Sequence, residues 1–95
     1  MDRPDIKAIR RSLGLNQTQF GALLGAHAVT VCRWESDTDP ARPTAYQMGL
    51  IQEFARAAQQ RPAPGPDVGE ILVTAGVVAA IFLLLQWASG QQRSR

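Results

Sequence analysis

QTQFGALLGAHAVTVCRWE, residues 17 to 35, is the stretch whose reading decides the fold. Phe20, Leu23 and Leu24 recur on one helical face behind Asn16, a residue type that caps helix N-termini well. Gly25 then breaks the pattern. A second run, from about His27 to Glu35, turns Val31 and Trp34 toward the same interior at an i, i+3 spacing. With so few residues between them, the two helices must pack at a steep angle, as a helix-turn-helix does.

The flanking segments supply the rest of a small core. Upstream, Asp5 to Leu13 is an amphipathic helix with Ile6, Ile9, Arg10 and Leu13 recurring at helical spacing and Lys7, Arg10 and Arg11 directed to solvent. Pro4 is tolerated at its first turn, and Gly14 ends it. Downstream, SDTDPARP, residues 36 to 43, is a turn-rich loop. Thr44 to about Gln60 then forms a longer helix with Tyr46, Leu50, Ile51 and Phe54 inward. The expected core is Ile6, Ile9, Leu13, Phe20, Leu23, Leu24, Val31, Trp34, Leu50, Ile51 and Phe54. This places one all-α domain of four or five helices over residues 1–60.

QQRPAPGPDVG, residues 59 to 69, carries three prolines and two glycines. Proline at that density forbids a continuous helix and favours an extended spacer, so residues 61–69 read as a linker. The next eighteen residues, ILVTAGVVAAIFLLLQWA at 71 to 88, contain no charge. As one helix they would span about 27 Å, close to the ~30 Å hydrocarbon core of a bilayer. Leu72, Val73, Val77, Val78, Ile81, Phe82, Leu83, Leu84 and Leu85 cover every side of such a helix, so it needs an apolar surrounding. The expectation is a single C-terminal transmembrane helix over 70–89 in contact with membrane lipid through 71–88, and a polar tail over 90–95. Trp87 is placed as an interfacial aromatic, and Thr74 can hydrogen-bond back to its own helix. Gly76 with Ala80, and Ala75 with Ala79, are small-residue pairs that allow close helix association in lipid. A bundle of several copies, burying the same helix as an oligomer core, is the alternative.

Charge and composition narrow the function. Residues 1 to 61 carry eight basic groups against six acidic ones, in a chain of formal net charge +2. That is a modest excess for contact with phosphate. The single cysteine, Cys32, excludes an intrachain disulfide and fits a reducing compartment. With His27 as the only other soft ligand, no metal site is expected, nor any cofactor. No carboxylate pair, no nucleophile with a base and no phosphate-binding glycine loop is present, so the chain does not read as an enzyme. The N-terminus has no apolar run after Arg3 and is not expected to be a signal peptide.

Leu15, Asn16, Gln17, Gly21, Leu24, Gly25, Ala26, His27, Thr30, Val31, Arg33, Trp34 and Glu35 together match a motif. Over residues 5 to 58 the chain resembles the lambda-repressor/Cro-like helix-turn-helix family. The resemblance implies that the third helix enters a DNA major groove, with Gln17, Ala28, Val29, Thr30, Cys32 and Arg33 as contact residues. Gln17 corresponds to a family glutamine that docks the second helix on the DNA backbone. Ala28 and Val29 stand where polar base-readers are usual and offer apolar contact, for instance with a thymine methyl. Arg33 is the candidate for a bidentate guanine contact or a phosphate grip. His27 replaces the common N-cap serine, and Asp37 and Asp39 stand where relatives place basic residues. Family members bind palindromic sites as dimers, which implies a homodimer here.

The expected function is therefore transcription regulation by a membrane-anchored helix-turn-helix protein bound to double-stranded DNA. It would sit in the cell membrane as a single-pass protein with a cytoplasmic N-terminal domain, as a homodimer or part of a larger membrane assembly. The competing expectation is an accessory single-span subunit of a membrane complex, whose helix-turn-helix domain docks protein. A soluble regulator with an oligomerising tail is a third.

Overall fold

A computed structural model describes residues 5–60 and 67–89. Within them the chain is all-α, with six helices and no strand. The first four fall where the apolar periodicity predicts them. Helix α1 runs Ile6–Ser12, α2 Gln17–Leu24, α3 Ala28–Glu35 and α4 Ala45–Gln60. The two C-terminal helices are α5, Val68–Ala75, and α6, Val77–Ser89.

Local chemistry explains the starts. Asp5 caps α1 by accepting from the Ala8 amide at 3.1 Å. Asn16 forms a reciprocal capping box with Gln19: its Oδ1 accepts the Gln19 amide at 2.8 Å while Gln19 Oε1 accepts the Asn16 amide at 3.0 Å. Thr44 and Gln47 repeat that arrangement ahead of α4, at 3.1 and 2.9 Å. Asp67 opens α5 by accepting the Gly69 amide at 2.9 Å.

Ile6, Leu13, Phe20, Leu23, Leu24, Val31, Trp34, Ile51 and Phe54 are all buried, as expected, and Ile9 and Leu50 pack partly buried against them. Phe20 and Phe54 meet edge to face with ring centroids 6.4 Å apart. Leu15 and Ala57 join the core as well. Two expectations of burial fail, one in each direction. Tyr46, in the first turn of α4, is 75% exposed. Arg10, expected in solvent, is buried. It shares the stripe of Ile6 and Leu13, and its charge is met inside the protein.

The C-terminal block corrects the sequence expectation most. The continuous transmembrane helix over 70–89 is replaced by two helices of 8 and 13 residues that break at Gly76. At 1.5 Å per residue these rise about 12 and 20 Å, well below a ~30 Å hydrocarbon core. Among the described residues no helix is long and apolar enough to cross a membrane. Gly76 makes the break possible. Its φ of 99° with ψ of 173° is a conformation essentially reserved for glycine. The Gly76 amide closes α5 onto the Ile71 and Leu72 carbonyls at 3.2 and 3.1 Å, and its own carbonyl accepts the Ala80 amide at 3.1 Å to open α6.

The bend lets α6 lie along α4, its most extensive partner, and touch α2. Ala80, Leu84, Trp87 and Ala88, at i, i+4, i+7 and i+8, are buried in the same core as the N-terminal helices, together with Val68 of α5. Trp87, expected as an interfacial aromatic, is 3% exposed and packs inside the protein. Gly69 lies so close to α2 that an added Cβ would stand 3.3 Å from the Gln19 side-chain nitrogen. Thr74 does bond back within its helix, donating to the Glu70 carbonyl at 2.9 Å. Residues 61–66 of the proposed spacer and the tail 90–95 lie outside the described residues.

Candidate nucleic-acid interface

Helices α2 and α3 are joined by Gly25, Ala26 and His27, with Gly25 left-handed at φ 69°. Glycine suits that position because a left-handed φ strains a residue with a Cβ, and there its amide closes α2 onto the Gly21 carbonyl. Gly21 itself sits where the helices approach. The Ala26 amide donates to the Gly21 carbonyl at 2.9 Å. A Cβ on Gly21 would run into the Ala26 carbonyl oxygen and come 3.3 Å from Val31 Cγ2. The angle between the two helices is therefore fixed by backbone against backbone, with no flexible side chain to yield.

That crossing decides which face of α3 is presented. Val31 and Trp34 are buried. On the opposite side Val29, Cys32 and Arg33 are exposed, and Ala28 and Thr30 flank them half-buried. Five of the six expected contact residues thus share one helix, and three of them form its outward face. Val29 is the most open of the apolar ones, at 63% exposure. Arg33 extends over the edge of this face, with Nε 3.9 Å from Asp39 Oδ2. Both groups are solvated, so their attraction is weak and can be exchanged for another anion. The N-cap residue His27 makes no side-chain cap hydrogen bond, and its carbonyl accepts the Thr30 and Val31 amides at 3.0 and 3.1 Å.

Gln17 is separated from this group. It is half-buried at the start of α2, and its side-chain nitrogen donates to Glu35 Oε1 at 3.1 Å. Glu35 also takes two bonds from Arg10: Nε to Oε2 at 2.7 Å and NH2 to Oε1 at 3.1 Å. A third Arg10 nitrogen donates to the Leu15 carbonyl at 3.0 Å. The side chains are 11% and 5% exposed. This network ties α1, the α1–α2 turn and the C-terminal end of α3 together. Burial alone would push the Glu35 carboxyl up. The hydrogen bonds from Arg10 and Gln17, with the charges of Arg10 and Lys7, outweigh that and hold it below the ordinary carboxylate value. The same hydrogen bond to Glu35 raises Arg10 further above its already high value, against a smaller opposing effect of burial.

Glu35 therefore pairs across 25 residues of sequence. The signal for it was present: Arg10 falls on the apolar stripe of α1, where an unpaired charge would be costly. No group of three or more potential metal-ligating side chains occurs among the described residues. Comparison with protein families, with curated proteins and with solved structures finds no match to this chain.

Proposed function

We propose that residues 5–60 form a lambda-repressor/Cro-like helix-turn-helix module that binds double-stranded DNA through α3, and that the protein acts in transcription regulation. The observation that carries this reading is the α2–α3 crossing. Gly21 and Gly25 hold α3 so that Val29, Cys32 and Arg33 face outward as one row, beside a first turn that no side chain caps. A helix of eight residues presented in this way fits a major groove. Arg33 is its charged reader, and Val29 and Ala28 give it apolar contact with thymine methyl groups. Thr30 and Cys32 border the row. Gln17 contributes at one remove, by fixing Glu35 and with it the end of α3.

The test is a salt titration of the full chain on mixed-sequence duplex DNA, followed by site selection. Retention that falls steeply with salt is expected, because neutralised phosphates release counterions. Arg33→Ala is expected to weaken binding about 10-fold or more without lowering the unfolding midpoint. Absence of salt-sensitive binding even at low ionic strength would remove DNA as the ligand.

One observation favours a second reading, in which α3 docks protein. The centre of the outward row is Val29, and its cation is already shared with Asp39. That arrangement predicts no DNA retention and an interaction lost in Val29→Asp. Membrane anchoring was inferred from a continuous helix over 70–89, and it loses that support with the break at Gly76.

A further inference from the structure

Asp39 stands at the edge of the reading face, and its loop holds it there. Its Oδ1 accepts the Ala41 amide at 2.8 Å, while Arg42 donates from Nη1 to the Asp39 and Ala41 carbonyls at 3.0 and 2.8 Å. Ala41 packs against the core, and Pro40 confines the backbone of the residue before it to extended conformations. One carboxylate oxygen is thus tied to the chain, and the other, Oδ2, lies 3.9 Å from Arg33 Nε. We propose that Asp39 is a positioning residue for base recognition, which assigns Arg33 to a guanine edge and away from the phosphates. This role rests on the DNA reading of α3 and sharpens it, because an arginine alone serves either contact.

A guanidinium offers five N–H donors in one plane. Asp39 faces the Nε side, and at 3.9 Å it attracts the group without a hydrogen bond. The Arg33 side chain has no hydrogen bond and no other ion pair among the described residues, so both terminal nitrogens are left for a ligand. Two parallel N–H groups at the tip match the O6 and N7 acceptors of guanine.

Charge separates the two uses. A phosphate at this edge would meet the carboxylate as well as the guanidinium, and the two act on it in opposite directions. A guanine edge carries no net charge and loses little by the same neighbour. The pair is solvated in the free protein, with side chains 64% and 32% exposed, so its hold on Arg33 there is modest. A groove closing over it removes water, and the attraction that aims the guanidinium then grows.

Site selection with the full chain on a pool of random duplexes, followed by salt titration on selected and mixed sequence, tests this role. The variant is Asp39→Asn, because asparagine keeps an Oδ1 for the Ala41 amide and removes only the charge. Its unfolding midpoint should match the parent's. It should bind mixed sequence about 3- to 10-fold more tightly, with a salt slope steeper by about one. Its preference for guanine at one position should fall about 10-fold. Arg33→Ala should abolish that preference, and Asp39→Asn added to it should change base preference no further. Any of three results overturns the assignment: no selected guanine that depends on Arg33, a preference that Asp39→Asn leaves intact, or an effect of Asp39→Asn on preference that persists with Arg33 removed. Each of these leaves DNA binding standing. Failure of the DNA reading is distinct, since neither parent nor Asp39→Asn then shows salt-sensitive retention even at low ionic strength, and the role of Asp39 falls with it.

Discussion

The molecule contains two helix pairs that turn on a glycine, and they use it differently. At Gly25 the chain is left-handed with φ 69°, and three residues carry it from α2 to α3. The pair then closes on itself through Gly21 against Ala26, with Phe20, Leu24, Val31 and Trp34 behind it. At Gly76 one residue separates α5 from α6, and φ is 99°. This pair does not close on itself alone. Helix α6 leans on α4 and lends that helix Ala80, Leu84, Trp87 and Ala88. The first pair hides its apolar residues apart from Val29 and shows a mixed exterior. The second spends one apolar face on the core and leaves another exposed. A helix pair can thus be folded and still unfinished: tertiary packing satisfies the side facing the protein, and the outer side remains for something else.

The largest effect that would break this comparison is at Trp87. If α6 belongs to the core of the N-terminal helices, Trp87→Ala removes a large side chain that is 3% exposed and leaves a cavity beneath α4. The expected cost is about 3–5 kcal/mol in urea unfolding, with a single cooperative transition. A change below ~1 kcal/mol would mean that α6 is an appendage and that α4 needs no cover.

Next in size is the tie between α1 and α3. Arg10→Met leaves the Glu35 carboxylate without its cation in a largely buried place, at an expected cost of about 3 kcal/mol. Replacing both residues by apolar ones of similar volume should cost less, because no orphaned charge remains. Acid gives an independent check. The folded Glu35 pKa is depressed, so the unfolded chain binds its proton more readily. The stability contributed by Glu35 is then fully present above its unfolded value of about 4.3 and is lost as pH falls through the lower folded value. Glu35→Gln should flatten that part of the profile. An unchanged acid limb would show that the tie does not set the orientation of α3.

How much of each pair was legible in sequence follows from the same contrast. The α2–α3 pair could be read because its signals are local and agree: an asparagine cap, apolar residues at helical spacing, and glycines at the turn and the crossing. Its candidate face, Val29, Cys32 and Arg33, followed from where Val31 and Trp34 must point. Arg10 is buried where periodicity directs it to solvent, because it and Glu35 satisfy each other across 25 residues, which periodicity does not register. The α5–α6 pair was misread for a related reason. Its buried stripe has the spacing of an amphipathic helix, but Val78, Phe82 and Leu85 fill the opposite side, so composition alone makes the block look apolar all round. A glycine inside such a run carries no mark of whether the chain bends there.

The smallest effect settles that last point by its sign. In a continuous helix Gly76 would be an interior glycine, and Gly76→Ala would stabilise the helix by up to about 1 kcal/mol. With φ at 99° and ψ at 173° alanine is strained, although no neighbouring atom blocks a Cβ. The expected cost is then about 1–3 kcal/mol, arising from backbone conformation alone. Gly25→Ala serves as the reference, since its φ of 69° is the milder left-handed region. If the break holds, both alanines destabilise and Gly76→Ala does so at least as much. If Gly76→Ala instead raises the midpoint and adds helix signal by circular dichroism, α5 and α6 form one rod, α6 can no longer lie along α4, and the cost expected for Trp87→Ala should vanish with it.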